Sequence, residues 1–321
     1  MKSTKPKPTV ANVAVVGTGV IGRSWMSVFA RAGCRTRIYD RDPKQLNRAL
    51  DWLEQDLKMD RKEGLLRAGE ASALRERISA HTDISEALRG AGYVQESGPE
   101  EIALKQTLFS TLDDAAGPNA ILASSTSGLN INDISTNLGG AHRCIVAHPV
   151  NPPHVIPVVE VLAGSQTDAK VVKRTSEFLS SVGQRPVLMK SYVPGFLLNR
   201  MQAALVREAI QLVDRGIADV DAVDTTIREG LGLRWAIMGP FGVAETNADG
   251  GVREYYTRYR QSYIEFMNDL APTPSFDDDT IERLARGVDA MMGRVSRARA
   301  RRWRDRMVRR IRAIKAADPR P

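Results

Sequence analysis

The sequence predicts an α/β chain: a doubly wound, mostly parallel sheet over residues 1–190, followed by an all-helical domain over residues 191–321. Three observations carry that expectation. A glycine-rich turn, GTGVIG, joins a β-rich run to a helix near the start of the chain. Short apolar strand signals then alternate with helical stretches, as in a parallel sheet with crossover helices. After Pro194-Gly195 the strand signals stop, and apolar residues recur only at helical spacing.

Val10 to Val16 is a short β-rich run that ends in Gly17. Gly19 to Ala32 reads as a helix and Arg35 to Tyr39 as the next strand. Pro43 to Asp60 and Leu65 to Ile78 read as two helices, with a charge density that marks a solvated excursion. Further strands are expected at Tyr93–Glu96, Ala120–Ser124, Cys144–Ala147, Ile156–Val161 and Pro186–Met189. In the second domain, helices are expected over Phe196–Arg215, Val220–Glu229, Val243–Asn268 and Asp279–Ala290. Pro272 and Pro274 mark an irregular loop.

Bulk properties narrow the function. The chain has 321 residues, 42% of them hydrophobic, which is enough for two domains. No apolar run reaches the roughly 18 residues a membrane span needs. The basic start MKSTKPKP and the apolar run after it faintly suggest a leader. That run is interrupted by glycines and closed by Arg23, so it reads better as a strand and turn. The two cysteines, Cys34 and Cys144, belong to no C-x-x-C pair. This argues against a disulfide framework or cysteine zinc site, no metal is expected, and a reducing, cytoplasmic setting is the simplest reading.

The net charge of +8 is local. Ten arginines and one acid lie between Arg294 and Arg312, so that segment carries +9 and the rest of the chain −1. Trp303, Met307, Ile311 and Ile314 recur there at spacings of four, four and three, one apolar stripe opposite a charged face. A docking helix accounts for this pattern better than nucleic-acid binding does.

GTGVIG spans Gly17 to Gly22 and matches G-x-G-x-x-G, with a strand before it, a helix after it and an acid at the end of the next strand. Gly17 allows the tight turn, Gly19 lets the backbone approach a pyrophosphate, and Gly22 lets helix and strand pack closely. The first N–H groups of the helix then face the phosphates. Asp40, in RIYDRD, can accept hydrogen bonds from both ribose hydroxyls and repel a 2′-phosphate. This Rossmann-type arrangement favours NAD over NADP, with Arg41 the one feature pulling the other way.

The stretch HPVNPPHVIPVVE sets His148 and Glu160 around a proline-rich turn. Removal of a hydroxyl proton during hydride transfer suits an imidazole, whose ordinary pKa of about 6.5 lies near working pH. A carboxylate on its second nitrogen would fix tautomer and orientation. The segment cannot continue a helix, and the expectation is that it brings Glu160 back beside His148. A buried pair with only a packing role stays open at this point.

Taken together, GTGVIG, SSTSGL (Ser124 to Leu129), HPVNPP with VVE, and PGFLLNR resemble the L-3-hydroxyacyl-CoA dehydrogenase superfamily in order and spacing, over nearly the whole chain. The resemblance implies that Ser127 and Asn199 bind the substrate oxygen, that His148 is the base and Glu160 its orienting partner, and that Asn151 is a neighbouring support. It puts Glu96 and Lys105, in QESGPEEIALK, where a cofactor-side pair belongs; a surface ion pair is the alternative. It also implies a homodimer formed through the second domain.

Departures from the acyl-CoA enzymes point to one branch. Ser125 stands where those enzymes have asparagine, HPVNPP replaces His-Phe-Phe-Asn-Pro, and GLGLRWAIMGP is a longer segment than its counterpart. With LNRMQAALVREAIQLVDRGI and RRWRDRMVRRI, these look like the L-gulonate 3-dehydrogenase and lambda-crystallin branch; the free-acid carnitine dehydrogenases share SSTSGL and the Arg-Trp pair. The expected reaction is NAD-dependent oxidation of the 3-hydroxyl of a small L-3-hydroxy acid, of L-gulonate or 3-hydroxybutyrate type. A 3-hydroxyacyl-CoA or carnitine dehydrogenase is the alternative. Arg234 is the candidate grip on a free carboxylate, unless it pairs with Glu229 or Glu245. Asn247 could reach a substrate hydroxyl or cap a helix. Trp235, Tyr255 and Tyr256 are the aromatics available to a quaternary ammonium.

Overall fold

The structure, a computed structural model, describes residues 7–62, 64, 66, 69–270, 273, 274 and 276–318. The leader-like start through residue 6, Leu65 at the head of one expected helix, and Pro272 lie outside the described residues. The chain divides into two compact units that meet between Asn199 and Arg200. Glu160 ties the backbone of Leu197 and Leu198, at the end of the first unit, to the strand Val158–Ala163.

The first unit is built on eight strands: β1 (Asn12–Val16), β2 (Arg35–Tyr39), β3 (Ile78–His81), β4 (Tyr93–Glu96), β5 (Ile121–Ser124), β6 (Cys144–Pro149), β7 (Val158–Ala163) and β8 (Arg185–Leu188). They form one sheet in the order β3-β2-β1-β4-β5-β6-β7-β8. Every neighbouring pair is parallel except β6 and β7, which are antiparallel. The strand order reverses direction between β1 and β4, and in such sheets ligands bind beyond the strand ends at that switch point.

β1 reads as an unbroken apolar run because both of its faces are covered. Val13 and Val15 join Trp25, Phe29 and Phe178 on one side of the sheet. Ala14 and Val16 join Phe109 and Leu112 on the other. Helix α1 (Val20–Ala32) supplies Trp25 and Phe29, whose rings stack at 5.1 Å. Full burial of each such ring contributes about 2–3 kcal/mol.

β3 corrects one expectation. Among the described residues of the stretch expected as a helix from Leu65 to Ile78, only Glu70–Arg75 is helical. Ile78–His81 instead pairs with Thr36–Tyr39 as the sheet's edge strand, so its outward residues are polar or small.

In the second unit the described residues contain helices and no strand. Two expected helices are broken. Val243–Asn268 is three pieces, Pro240–Thr246, Gly251–Arg258 and Arg260–Asp269, and Gly251, which opens the second, has φ +68°. After Val220–Thr225 the backbone widens into a π-helical turn over Thr226–Leu231 before Gly232–Trp235. The arginine-rich tail is one helix, Arg297–Ala317, on which Trp303 is 53% and Ile314 67% exposed. Among the described residues no helix is long and apolar enough to cross a membrane.

Candidate active site

The glycine turn has the shape the motif requires. Gly17 adopts φ +89°, and a Cβ there would stand 2.7 Å from the Ser97 carbonyl oxygen. A Cβ on Gly22 would stand 1.8 Å from the Gly17 carbonyl oxygen, so only glycine allows this approach of α1 to β1. Gly19 precedes α1, and nothing lies within 4 Å of where its Cβ would be. No side chain caps α1, which leaves its first N–H groups to an anion. Asp40, just past β2, accepts from the Thr18 N–H at 3.0 Å and the Thr18 hydroxyl at 2.9 Å. These residues fit a dinucleotide.

His148 and Glu160 are direct cross-strand partners in the antiparallel β6–β7 pair, so both side chains leave the same face. Nδ1 of His148 lies 2.8 Å from a Glu160 oxygen, and the two residues are only 6% and 2% exposed. The other Glu160 oxygen accepts from the N–H groups of Leu197 and Leu198, each at 2.8 Å. Burial alone would raise the Glu160 pKa. The His148 hydrogen bond and the two backbone N–H groups outweigh it and hold the carboxyl below its ordinary value. An ionised carboxylate only accepts, so Nδ1 donates to it and Nε2 is the nitrogen left uncommitted to Glu160. Phe196, fully buried and at φ +50°, sets its ring 5.4 Å from the imidazole, tilted by 59°.

The segment that Glu160 holds continues into Asn199, whose Nδ2 donates to the Ser127 carbonyl at 3.2 Å. Ser127, Asn199, Glu160 and His148 are thus linked in one chain of contacts. Asn151 lies exposed in the proline turn, and its side chain bonds none of the described residues.

Glu96 and Lys105 are not a surface ion pair. They meet at 2.7 Å and are 0% and 2% exposed. Glu96 also accepts from Gly98 N–H and Ser124 Oγ, each at 2.6 Å, so its carboxylate is committed within the protein. The residue missed in the same motif is Glu100. One of its oxygens accepts from Thr126 Oγ at 2.6 Å and Ser127 N–H at 2.7 Å; Lys105 Nζ lies 3.5 Å from the other. Partial burial raises its pKa, but those donors and the Lys105 charge bring it below the ordinary value. Its place within an acidic run, PEE, was the only signal in the sequence.

In the second unit, Arg234 is exposed, and among the described residues no acid pairs with it. Glu229 pairs with Arg228 at 2.7 Å, and Glu245 accepts from Val252 N–H at 2.8 Å. Asn247 closes the C-terminal end of Pro240–Thr246. Tyr255 and Tyr256 meet Tyr263, with centroids 6.2 and 5.5 Å from it, while Trp235 makes no ring contact among the described residues. The three rings pack edge to face on one another, at 64–77°.

Residues 12–192 match the profile of the 3-hydroxyacyl-CoA dehydrogenase NAD binding domain, and residues 195–286 that family's C-terminal domain. The chain belongs to this family. It is an NAD-dependent oxidoreductase acting on CH–OH groups. The lambda-crystallin homolog of Bos taurus is 38% identical to it over 94% of this chain and 95% of that protein. The L-carnitine dehydrogenase of Streptomyces coelicolor is 36% identical over 89% of this chain and 88% of the relative. Among solved structures, the NAD+-dependent dismutase 5-formyl-3-hydroxy-2-methylpyridine 4-carboxylic acid 5-dehydrogenase superposes with a TM-score of 0.78 at 28% identity. That match covers 98% of this chain and all of the other.

Proposed function

We propose that this family member oxidises the 3-hydroxyl of a small free L-3-hydroxy acid, of L-gulonate or 3-hydroxybutyrate type, to the 3-keto acid. The His148–Glu160 contact carries the reading. The glycine turn would hold the pyrophosphate of NAD and Asp40 its adenosine ribose, and the bound cofactor would supply the hydride acceptor. His148 Nε2 takes the hydroxyl proton, and Glu160 holds the ring and stabilises the imidazolium. Ser127 and Asn199 bind the reacting oxygen, with Asn151 beside them. Glu96 and Lys105 act on the cofactor side through Gly98 and Glu100. Arg234 grips the substrate carboxylate, a role supported by its lack of an acidic partner among the described residues and by the carboxylic acid in the name of the solved relative.

The second unit forms a homodimer. The support is its exposed apolar surface, including Phe241 at 73% and Phe266 at 65% exposure. The tail helix belongs to that surface and not to a nucleic-acid site. Two buried free thiols, Cys34 and Cys144, suit a reducing cytoplasm.

NADH absorbance over 3-hydroxybutyrate, L-gulonate, L-carnitine and 3-hydroxybutyryl-CoA tests the assignment. The expected result is turnover of a free 3-hydroxy acid. Turnover confined to the thioester would replace the reading with the acyl-CoA one, and preference for L-carnitine with the carnitine one.

A further inference from the structure

A buried polar chain that the proposed chemistry does not use ends beside the glycine turn, and its direction follows from donor counting. The Gln95 side chain, fully buried, sets one atom 3.3 Å from the Ala147 carbonyl oxygen. A carbonyl only accepts, so that atom is the amide nitrogen, Nε2. The same nitrogen donates to Ser125 Oγ at 2.8 Å, and Gln95 Oε1 accepts from the Tyr93 hydroxyl at 2.9 Å. The Trp25 indole N–H, which can only donate, also reaches Ser125 Oγ, at 3.2 Å. Both lone pairs of Ser125 are then filled. Its own proton goes to Ser97 Oγ, 2.9 Å away. Ser97 therefore accepts from within the protein, and its own hydroxyl proton has no acceptor among the described residues.

Ser97 stands at the switch point. Its N–H donates to Val16 O at the end of β1, and it directly follows β4. Its Cβ lies 3.5 Å from where a Cβ of Gly22 would be. Asp40 marks the adenosine side, past β2. A dinucleotide laid across the strand ends carries its other half over β4 and β5.

We propose that Ser97 Oγ donates a hydrogen bond to an oxygen on the nicotinamide half of the bound dinucleotide, with its direction imposed by the Tyr93–Gln95–Ser125 chain. The proposal rests on NAD binding at the glycine turn. Ser97→Ala is tested by titrating NADH fluorescence, with AMP as the control ligand for the adenosine half. NADH Kd rises about 5–10-fold, the effect of one lost hydrogen bond, while AMP Kd stays within about twofold. Ser97→Cys, similar in shape but a poorer donor, behaves the same way and serves if the alanine variant does not fold. NADH affinity within twofold of wild type in the folded variant would overturn the proposal, and so would equal loss of AMP and NADH. A wild-type protein that binds no NADH would overturn the NAD reading beneath it instead.

Discussion

The two units solve the burial problem differently. In the first, β4, β5 and β6 are buried along their whole length, and aromatic rings fill one face of the sheet. In the second, Ile210 and Ala244 are the buried large or small hydrophobics among the described residues, while Phe241, Phe266, Met201 and Ile314 are mostly exposed. The first unit holds its own hydrogen-bonded site, from the glycine turn to the His148–Glu160 pair. A set of helices with so little interior leaves much apolar surface open, which the proposed second copy would cover.

The largest effect is expected where the first unit is tightest. Gly22→Ala sets a methyl 1.8 Å from the Gly17 carbonyl oxygen. It should cost more than about 4 kcal/mol or abolish NADH binding, read by thermal melting and NADH fluorescence. A variant that melts and binds like wild type would show that the turn is looser than described.

Two changes in the second unit sharpen the contrast. Arg234→Ala should lower kcat/KM for the free acid about 10–100-fold and leave the 3-hydroxyacyl thioester within about threefold. Equal loss with both would make Arg234 a structural residue. Phe266→Arg should raise the dimer dissociation constant about 30-fold or more in light scattering, with NADH affinity unchanged. A wild-type protein that is already monomeric would remove the explanation for the exposed helices.

The smallest effect concerns acid stability. A carboxyl whose pKa is depressed on folding adds stability above its unfolded value, and that contribution is lost as pH falls through the folded one. Glu160 is held below its ordinary 4.5. Melting temperature should therefore fall as pH drops below that value, and Glu160→Gln should flatten that slope. An unchanged slope would mean that other carboxylates, such as Glu100, dominate.

How much was legible in the sequence follows the same division. Arg35–Tyr39 and Tyr93–Glu96 were readable to the residue, because buried Thr36 and Ile38 alternate with less buried residues in the first, and Gly92 and Ser97-Gly98 bound the second. β3 was not, since four residues at a sheet edge carry little pattern and follow a charged amphipathic stretch. In the second unit the break after Thr246 was signalled by NADGG but hidden by the helical spacing around it, and the π-helical turn has no composition of its own. The placement of His148 opposite Glu160 could be guessed from the proline turn. The commitment of Glu96 to Ser124, the hold of Glu100 on Ser127, and the link from Ser97 to Ser125 depend on neighbouring parallel strands distant in sequence, which no local pattern records.

The central claim is that Nε2 of His148, oriented by Glu160, removes the substrate proton. Stopped-flow and steady-state assays of His148→Ala test it most directly. NADH should bind with a Kd within about twofold of wild type while kcat for the preferred 3-hydroxy acid falls about 100-fold or more. Turnover within about threefold of wild type in a folded His148→Ala protein would contradict the account.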